Sequence, residues 1–113
     1  MVDAKVIEAV NYFRELVEKG GIRIHTLVLF RSSSSGTSTR GSDIDIAIIS
    51  DDFTGKNIFD RAVQTKEAEI HTVRRFKVPL NVTTLTTEEY RDERSLLSRT
   101  IQKGIIFSTA PSA

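Results

Sequence analysis

The sequence predicts an α/β domain of the α+β kind, a small mixed sheet with helices packed on it. Three observations carry that expectation. Helix-spaced apolar runs alternate with short Ile/Val/Leu-rich segments in the order α-β-loop-β-α-β-α. The composition, 39% apolar and 27% charged, is that of a globular protein with a real core. The 113 residues are enough for one ordinary domain and too few for two, so 1–108 is expected to fold as a unit with 109–113 as a short tail.

Taken in order, Val2, Val6, Ala9, Val10, Phe13, Leu16 and Val17 recur at helical spacing, and Gly20-Gly21 end the run. Ile22 to Phe30 reads as a strand that alternates at first and then becomes continuously apolar. A polar Ser/Thr/Gly tract fills 31–42, and 43–50 reads as a second strand. Asp51 to Gly55 break it, and a long helix is expected from Asn57 to Phe76, with Phe59, Ala62, Val63, Ile70 and Val73 as its apolar positions. Tyr12, Phe13, Phe59 and Phe76 are read as core aromatics on or beside those faces. Pro79 introduces a third strand, Leu80 to Leu85. Thr87 with Glu88 and Glu89 marks a helix start, and the last helix runs through Leu96, Leu97 and Ile101 to Gly104, before a short Ile105-Ile106-Phe107 segment.

Composition also excludes classes of function. Without cysteine there is no disulfide and no thiolate metal site. With two histidines, a metal site must rest on carboxylates, which suits a hard cation such as Mg²⁺. A net charge of +1 gives no general attraction to nucleic acid or to membranes, and no apolar run approaches the ~20 residues that span a bilayer. No signal pattern precedes the first helix, so a cytoplasmic setting is expected. Homo-oligomerisation is left open.

The chemistry-bearing stretch is LFRSSSSGTSTRGSDIDIAIIS, Leu29 to Ser50. Strand periodicity puts Asp43, Asp45, Ala47 and Ile49 on one face and Ile44, Ile46 and Ile48 on the other. Two neighbouring carboxylates at a strand start repel each other unless a divalent cation sits with them. The Asp-x-Asp pattern alone is unspecific, since it also occurs as a strand-end solubiliser and in glycosyltransferases. The EF-hand series of acidic residues is absent, as is a Walker loop. A strand followed by a Ser/Gly turn, however, offers backbone N–H groups and hydroxyls to an anion such as phosphate.

In that register the sequence resembles the DNA polymerase beta-like nucleotidyltransferases, particularly the minimal members of the antitoxin type. These carry a strand ending in Phe-Gly-Ser, ten residues, and then Asp-x-Asp. Phe30, Ser32, Gly36, Ser42, Asp43 and Asp45 fall at those positions without a gap, and the likeness covers nearly the whole chain. The resemblance implies a polymerase beta-like core and Mg²⁺-dependent transfer of a nucleoside monophosphate, AMP from ATP, with Mn²⁺ as an alternative ion. Asp43 and Asp45 would be the metal ligands of a two-metal site. Asp43, Asp45 and the residue at the third acidic position, Asn81, would form the catalytic set. Arg31, Ser32, Ser33, Gly36 and Ser42 would hold the nucleotide phosphates. The acceptor is unidentified; relatives of this size act with a helical HEPN-type protein, which makes such a protein a candidate partner.

Two positions depart from the pattern. Arg31 stands where the family has glycine, and it either adds a guanidinium to the phosphates or crowds them. Asn81, in Pro79-Leu80-Asn81-Val82, replaces a carboxylate with a neutral amide. These departures keep a second reading open, a nucleotide-binding and partner-binding module without transferase activity. Glu88 and Glu89 are substitutes for the missing acid on paper, but suit a helix N-terminus better. His25 and His71 lack a second ligand at useful spacing and read as structural or surface residues. Arg74, Arg75 and Lys77 read as complements to a helix C-terminus, and Arg40 as a loop-tip cation.

Overall fold

The computed structural model describes residues 4–30 and 43–109. Its elements are α1 (Ala4–Lys19), β1 (Thr26–Phe30), β2 (Ile44–Ile49), a 3-10 turn at Asp51–Phe53, α2 (Ile58–Phe76), β3 (Leu80–Leu85), α3 (Thr87–Tyr90), α4 (Leu96–Gln102) and β4 (Ile105–Thr109). The four strands form one mixed sheet in the order β3-β2-β1-β4. β1 is antiparallel to both β2 and β4, whereas β2 and β3 are parallel. The parallel pair requires a crossover, and α2 supplies it, as expected of a strand–helix–strand unit. The small mixed sheet with packed helices is therefore as the sequence predicts.

The alternation along β2 separates two cores. Ile44, Ile46 and Ile48 face a large cluster built with Leu27 of β1, Ala9, Val10, Phe13 and Val17 of α1, Ala68 of α2, and Phe53. Ala47 and Ile49 face a smaller cluster with Val28, Leu85 and Ile101. Phe13 and Phe53 are fully buried. Each such side chain contributes about 1.5–3 kcal/mol through area removed from water. The first cluster anchors both long helices to one face of the sheet, and the second fastens α4 to the other.

Three elements differ from expectation. β1 starts at Thr26, four residues later than read from the sequence, although Ile22 and Ile24 are buried. Side chains have replaced ladder partners there: Arg23 N–H donates to Asp52 Oδ2 at 2.7 Å, and Arg23 O accepts from Ser50 Oγ at 2.7 Å. The last helix is two short ones. α3 is a single turn capped by Thr86, whose Oγ1 accepts from Glu89 N–H while the Glu89 carboxylate accepts from Thr86 N–H. Asp92 accepts from Arg94 N–H in the turn that follows, and Ser95 caps α4. The closing apolar segment is β4, an edge strand on β1.

α2 also buries an unexpected face. Thr65, Ala68 and Thr72 are its buried residues, while Ile58, Phe59 and Val63 are 72%, 77% and 73% exposed. Phe59 is therefore a surface residue and not a core aromatic. The threonines tolerate burial because each hydroxyl donates back to its own helix: Thr72 Oγ1 to Ala68 O at 2.8 Å, and Thr65 Oγ1 to Arg61 O and Ala62 O at 3.4 Å. Among the described residues every buried side-chain N or O has a hydrogen-bond partner, and no helix is long and apolar enough to cross a membrane.

The turn from α4 into β4 is tight. A Cβ on Gly104 would lie 2.6 Å from Leu29 O and 2.8 Å from both Phe30 Cβ and Val28 Cγ1. The Gly104→Ala substitution must push β1 and β4 apart, and should cost about 1–3 kcal/mol as overpacking. Urea denaturation measures this; a stability within 0.5 kcal/mol of wild type, roughly the scatter for neutral surface changes, would contradict the close approach.

Candidate functional site

The sheet brings three sequence-predicted residues together. Asp43 precedes β2, Asp45 is its second residue, and Asn81 is the second residue of β3. Parallel pairing sets Asp45 opposite Asn81, and antiparallel pairing sets it opposite Phe30, the last residue of β1. Paired residues project to the same face of a sheet, so Asp45 and Asn81 share the face of Ala47 and Ile49. The register is held at the strand starts by Ile44 N–H, which donates to Pro79 O at 3.0 Å. Buried Ile44, Ile46 and Leu80 beneath it fix β2 against β3.

The three polar side chains meet at Asn81 Nδ2. It donates to Asp45 Oδ1 at 3.1 Å and lies 3.5 Å from Asp43 Oδ2. Both carboxylates therefore converge on one point, at which a small group can touch each of them. Asp43 and Asn81 are exposed and Asp45 is half-buried, so the point is open to solvent and to a ligand. The acceptor atoms that converge are the oxygens of two carboxylates, the ligand type of a hard divalent cation such as Mg²⁺, while the Asn81 amide turns its nitrogen to them. Among the described residues there is no group of three His, Cys, Asp or Glu that could hold a metal, so the amide at 81 distinguishes this site from a three-acid one. Arg31, Ser32, Ser33, Gly36 and Ser42 lie outside the described residues, as does Arg40. The tract that contains them joins Phe30, which pairs with Asp45 in the sheet, to Asp43, two residues before Asp45.

Other candidates separate from this point. Glu89 belongs to the Thr86 capping box and to Arg61, with guanidinium–carboxylate contacts of 2.8 and 3.2 Å. Bonding to Arg61, reinforced by Thr86 N–H, holds the Glu89 carboxyl below the usual range against the opposing effect of burial. Glu88 is exposed in the same first turn, beyond the opposite end of β3 from Asn81. Neither glutamate replaces the missing acid. Asp51 also lies at that far end; it accepts from Thr87 Oγ1 at 2.6 Å and from Thr87 N–H at 3.3 Å, and these bonds lower its pKa.

His25 Nδ1 lies 2.7 Å from Thr26 Oγ1, and His71 is on the exposed side of α2. Arg75 is stacked on Tyr12 and Phe76, at 5.1 and 5.5 Å from their ring centres, and Lys77 closes α2 in a left-handed conformation. Sequence reasoning missed the Arg61 anchor, whose partners Lys56 O, Thr84 O and Glu89 are brought together only by the fold.

Comparison with known proteins adds the family. The model of the nucleotidyltransferase domain matches residues 8–108. No curated protein sequence matches the chain. Among solved structures, a Sulfolobus solfataricus protein assigned as a nucleotidyltransferase is similar at 16% identity, with 96% of this chain and 90% of that one covered and a TM-score of 0.49. Yeast Fra2, solved in solution, is similar at 21% identity over 71% of this chain and 81% of its own, with a TM-score of 0.45. Likenesses this remote carry no weight for function. The family model spans β1 to β3, all but the last residue of β4 and both aspartates, and on that match the chain belongs to the nucleotidyltransferase domain family.

Proposed function

We propose that the chain is a Mg²⁺-dependent nucleotidyltransferase that moves AMP from ATP onto an acceptor hydroxyl. The observation that carries this reading is the convergence of Asp43 and Asp45 on one point, in a chain whose family is that of nucleotidyltransferases. The two aspartates would hold the cation, with Mn²⁺ able to replace it. Bound there, the metal supplies charge neutralisation for the triphosphate and acidifies the attacking hydroxyl. The chain's own contribution is placement. β2 and β3 hold the carboxylates in fixed register, and Ser32, Ser33, Gly36 and Ser42 would donate to the phosphates, with Arg31 as an added cation. In the transfer the acceptor oxygen bonds to the α-phosphorus, and the bond from that phosphorus to the α,β-bridging oxygen breaks. Pyrophosphate leaves with the electron pair, and the hydroxyl proton passes to solvent.

The antitoxin-type reading gives the acceptor a source. A helical partner protein of the HEPN type would present the hydroxyl, in the cytoplasm where ATP and Mg²⁺ are both abundant. The exposed Ile58, Phe59 and Val63 on α2 are consistent with a helical partner. A second reading, a partner-binding module without transfer, is favoured by one observation: the third acidic position is the amide Asn81.

Incubation with Mg²⁺ and ATP labelled at the α- or the γ-phosphate, with and without the protein encoded by the neighbouring gene, tests the proposal. Label from the α-position alone should appear on the acceptor, with γ-label released as pyrophosphate. Transfer of γ-label would indicate a phosphotransferase instead. If the wild-type chain transfers nothing but Asn81→Asp does, the module reading stands.

A further inference from the structure

The contact between Asn81 and the aspartates is of the wrong polarity for a metal ligand, and that has a consequence for how the site works. An asparagine amide has a donor end and an acceptor end on one planar group. The donor end, Nδ2, is turned to the carboxylates at 3.1 and 3.5 Å. Ionised carboxylates only accept, so the N–H group is the end that fits between them when no cation is there. It brings partial positive charge to the place where two like charges lie close, which eases their mutual repulsion. A cation at the same point reverses the requirement, because it repels the N–H and attracts Oδ1. Terminal amide torsions are broad and roughly two-fold, so the turn that exchanges the two ends meets little resistance. Asn81 is exposed, which leaves room for the turn.

We infer that Asn81 is a two-state positioning residue, whose amide N–H bridges Asp43 and Asp45 in the cation-free chain and turns over to present Oδ1 when a divalent cation binds. This rests on the reading of Asp43 and Asp45 as the cation site, and gives the departure at position 81 a role in it. An aspartate there would add a third negative charge, binding the cation more tightly and leaving the empty site more repulsive. Asparagine does the reverse: it relaxes the empty site and weakens retention of the cation between turnovers. The site is thereby tuned to respond to cation delivered together with nucleotide rather than to hold it permanently.

The test uses the full chain labelled with ¹⁵N and titrated with Mg²⁺ alone. The Asn81 side-chain NH₂ signals, identified by their loss in Asn81→Asp, should move in step with the backbone signals of Asp43 and Asp45, and should not respond in an Asp43→Ala/Asp45→Ala variant. Asn81→Asp should bind Mg²⁺ about tenfold more tightly, as added ligand charge does at other hard-cation sites. In the absence of metal it should also melt below wild type, and it should gain more from Mg²⁺. Asn81 NH₂ signals that stay fixed while the aspartates respond would overturn the inference and leave the cation site standing. Aspartate signals that do not respond to millimolar Mg²⁺ in either the wild type or Asn81→Asp would overturn both.

Discussion

Asp45→Ala is expected to lower nucleotidyl transfer by about 10³-fold or more, the factor that ~4 kcal/mol of lost transition-state stabilisation represents. Asp45 is the central residue of the site, paired in register with Phe30 on one side and Asn81 on the other. Its carboxylate is half-buried and shares the Asn81 amide with Asp43. In the proposed site, its removal would take away one of two negative oxygen donors and leave one carboxylate to hold a divalent cation against a triphosphate. The fold should survive, because the loss of the bond from Asn81 and of the other interactions of Asp45 is offset by relief of its repulsion with Asp43. A melting temperature at or above that of wild type, together with the lost transfer, would assign the effect to chemistry. Transfer within tenfold of wild type would remove Asp45 from the metal site.

Arg61→Ala is expected to destabilise the fold by about 2–4 kcal/mol, through the several hydrogen bonds and the packing it removes. The Arg61 side chain is only 12% exposed. Its guanidinium binds both Glu89 oxygens, donates to Lys56 O at 2.9 Å and Thr84 O at 3.3 Å, and lies 5.8 Å from the Phe53 ring centre. One residue thus ties the start of α2 to the end of β3 and to α3. The substitution should also change the acid limb of stability. Glu89 titrates below its unfolded value because Arg61 binds its charged form, so its contribution is present above the unfolded pKa and is lost as pH falls through the lower folded value. In Arg61→Ala that slope should largely vanish. Denaturant midpoints for both proteins between pH 3 and pH 7 measure it, and parallel curves would show that the ion pair is not coupled to folding.

Much of this was legible in the sequence, for specific reasons. The two faces of β2 follow from strict alternation in DIDIAII, and the two observed cores divide along it. β3 is legible at Leu80–Leu85 because Pro79 introduces it, and α2 because apolar spacing persists from Asn57 to Phe76. What the pattern concealed was direction of burial. α2 has apolar residues on one side and threonines on another, and hydropathy alone selects the wrong side; only the back-bonded hydroxyls of Thr65 and Thr72 make the polar side the buried one. The break at Asp92 to Ser95 was hidden because its turn rests on local side-chain bonds within a helix-compatible sequence.

At the site, the strand pattern names Asp43 and Asp45 and the family resemblance names Asn81, but their meeting depends on the parallel register of β2 and β3, which no local signal encodes. The polarity of the Asn81 contact is further removed still, since the same residue can serve as donor or acceptor. The Arg61–Glu89 pair joins residues 28 apart and had no sequence signature.

The central claim is that Asp43 and Asp45 together hold a divalent cation with a nucleotide. Mn²⁺, which takes the same oxygen ligands as Mg²⁺, makes this directly measurable by electron paramagnetic resonance, because bound ion loses the sharp six-line signal of free ion. With ATP present, the signal loss is expected to exceed that of ATP alone when wild-type chain is added, and to fall back to the ATP-only value with Asp43→Ala/Asp45→Ala. Equal Mn²⁺ uptake by the wild type and the double variant would contradict the account.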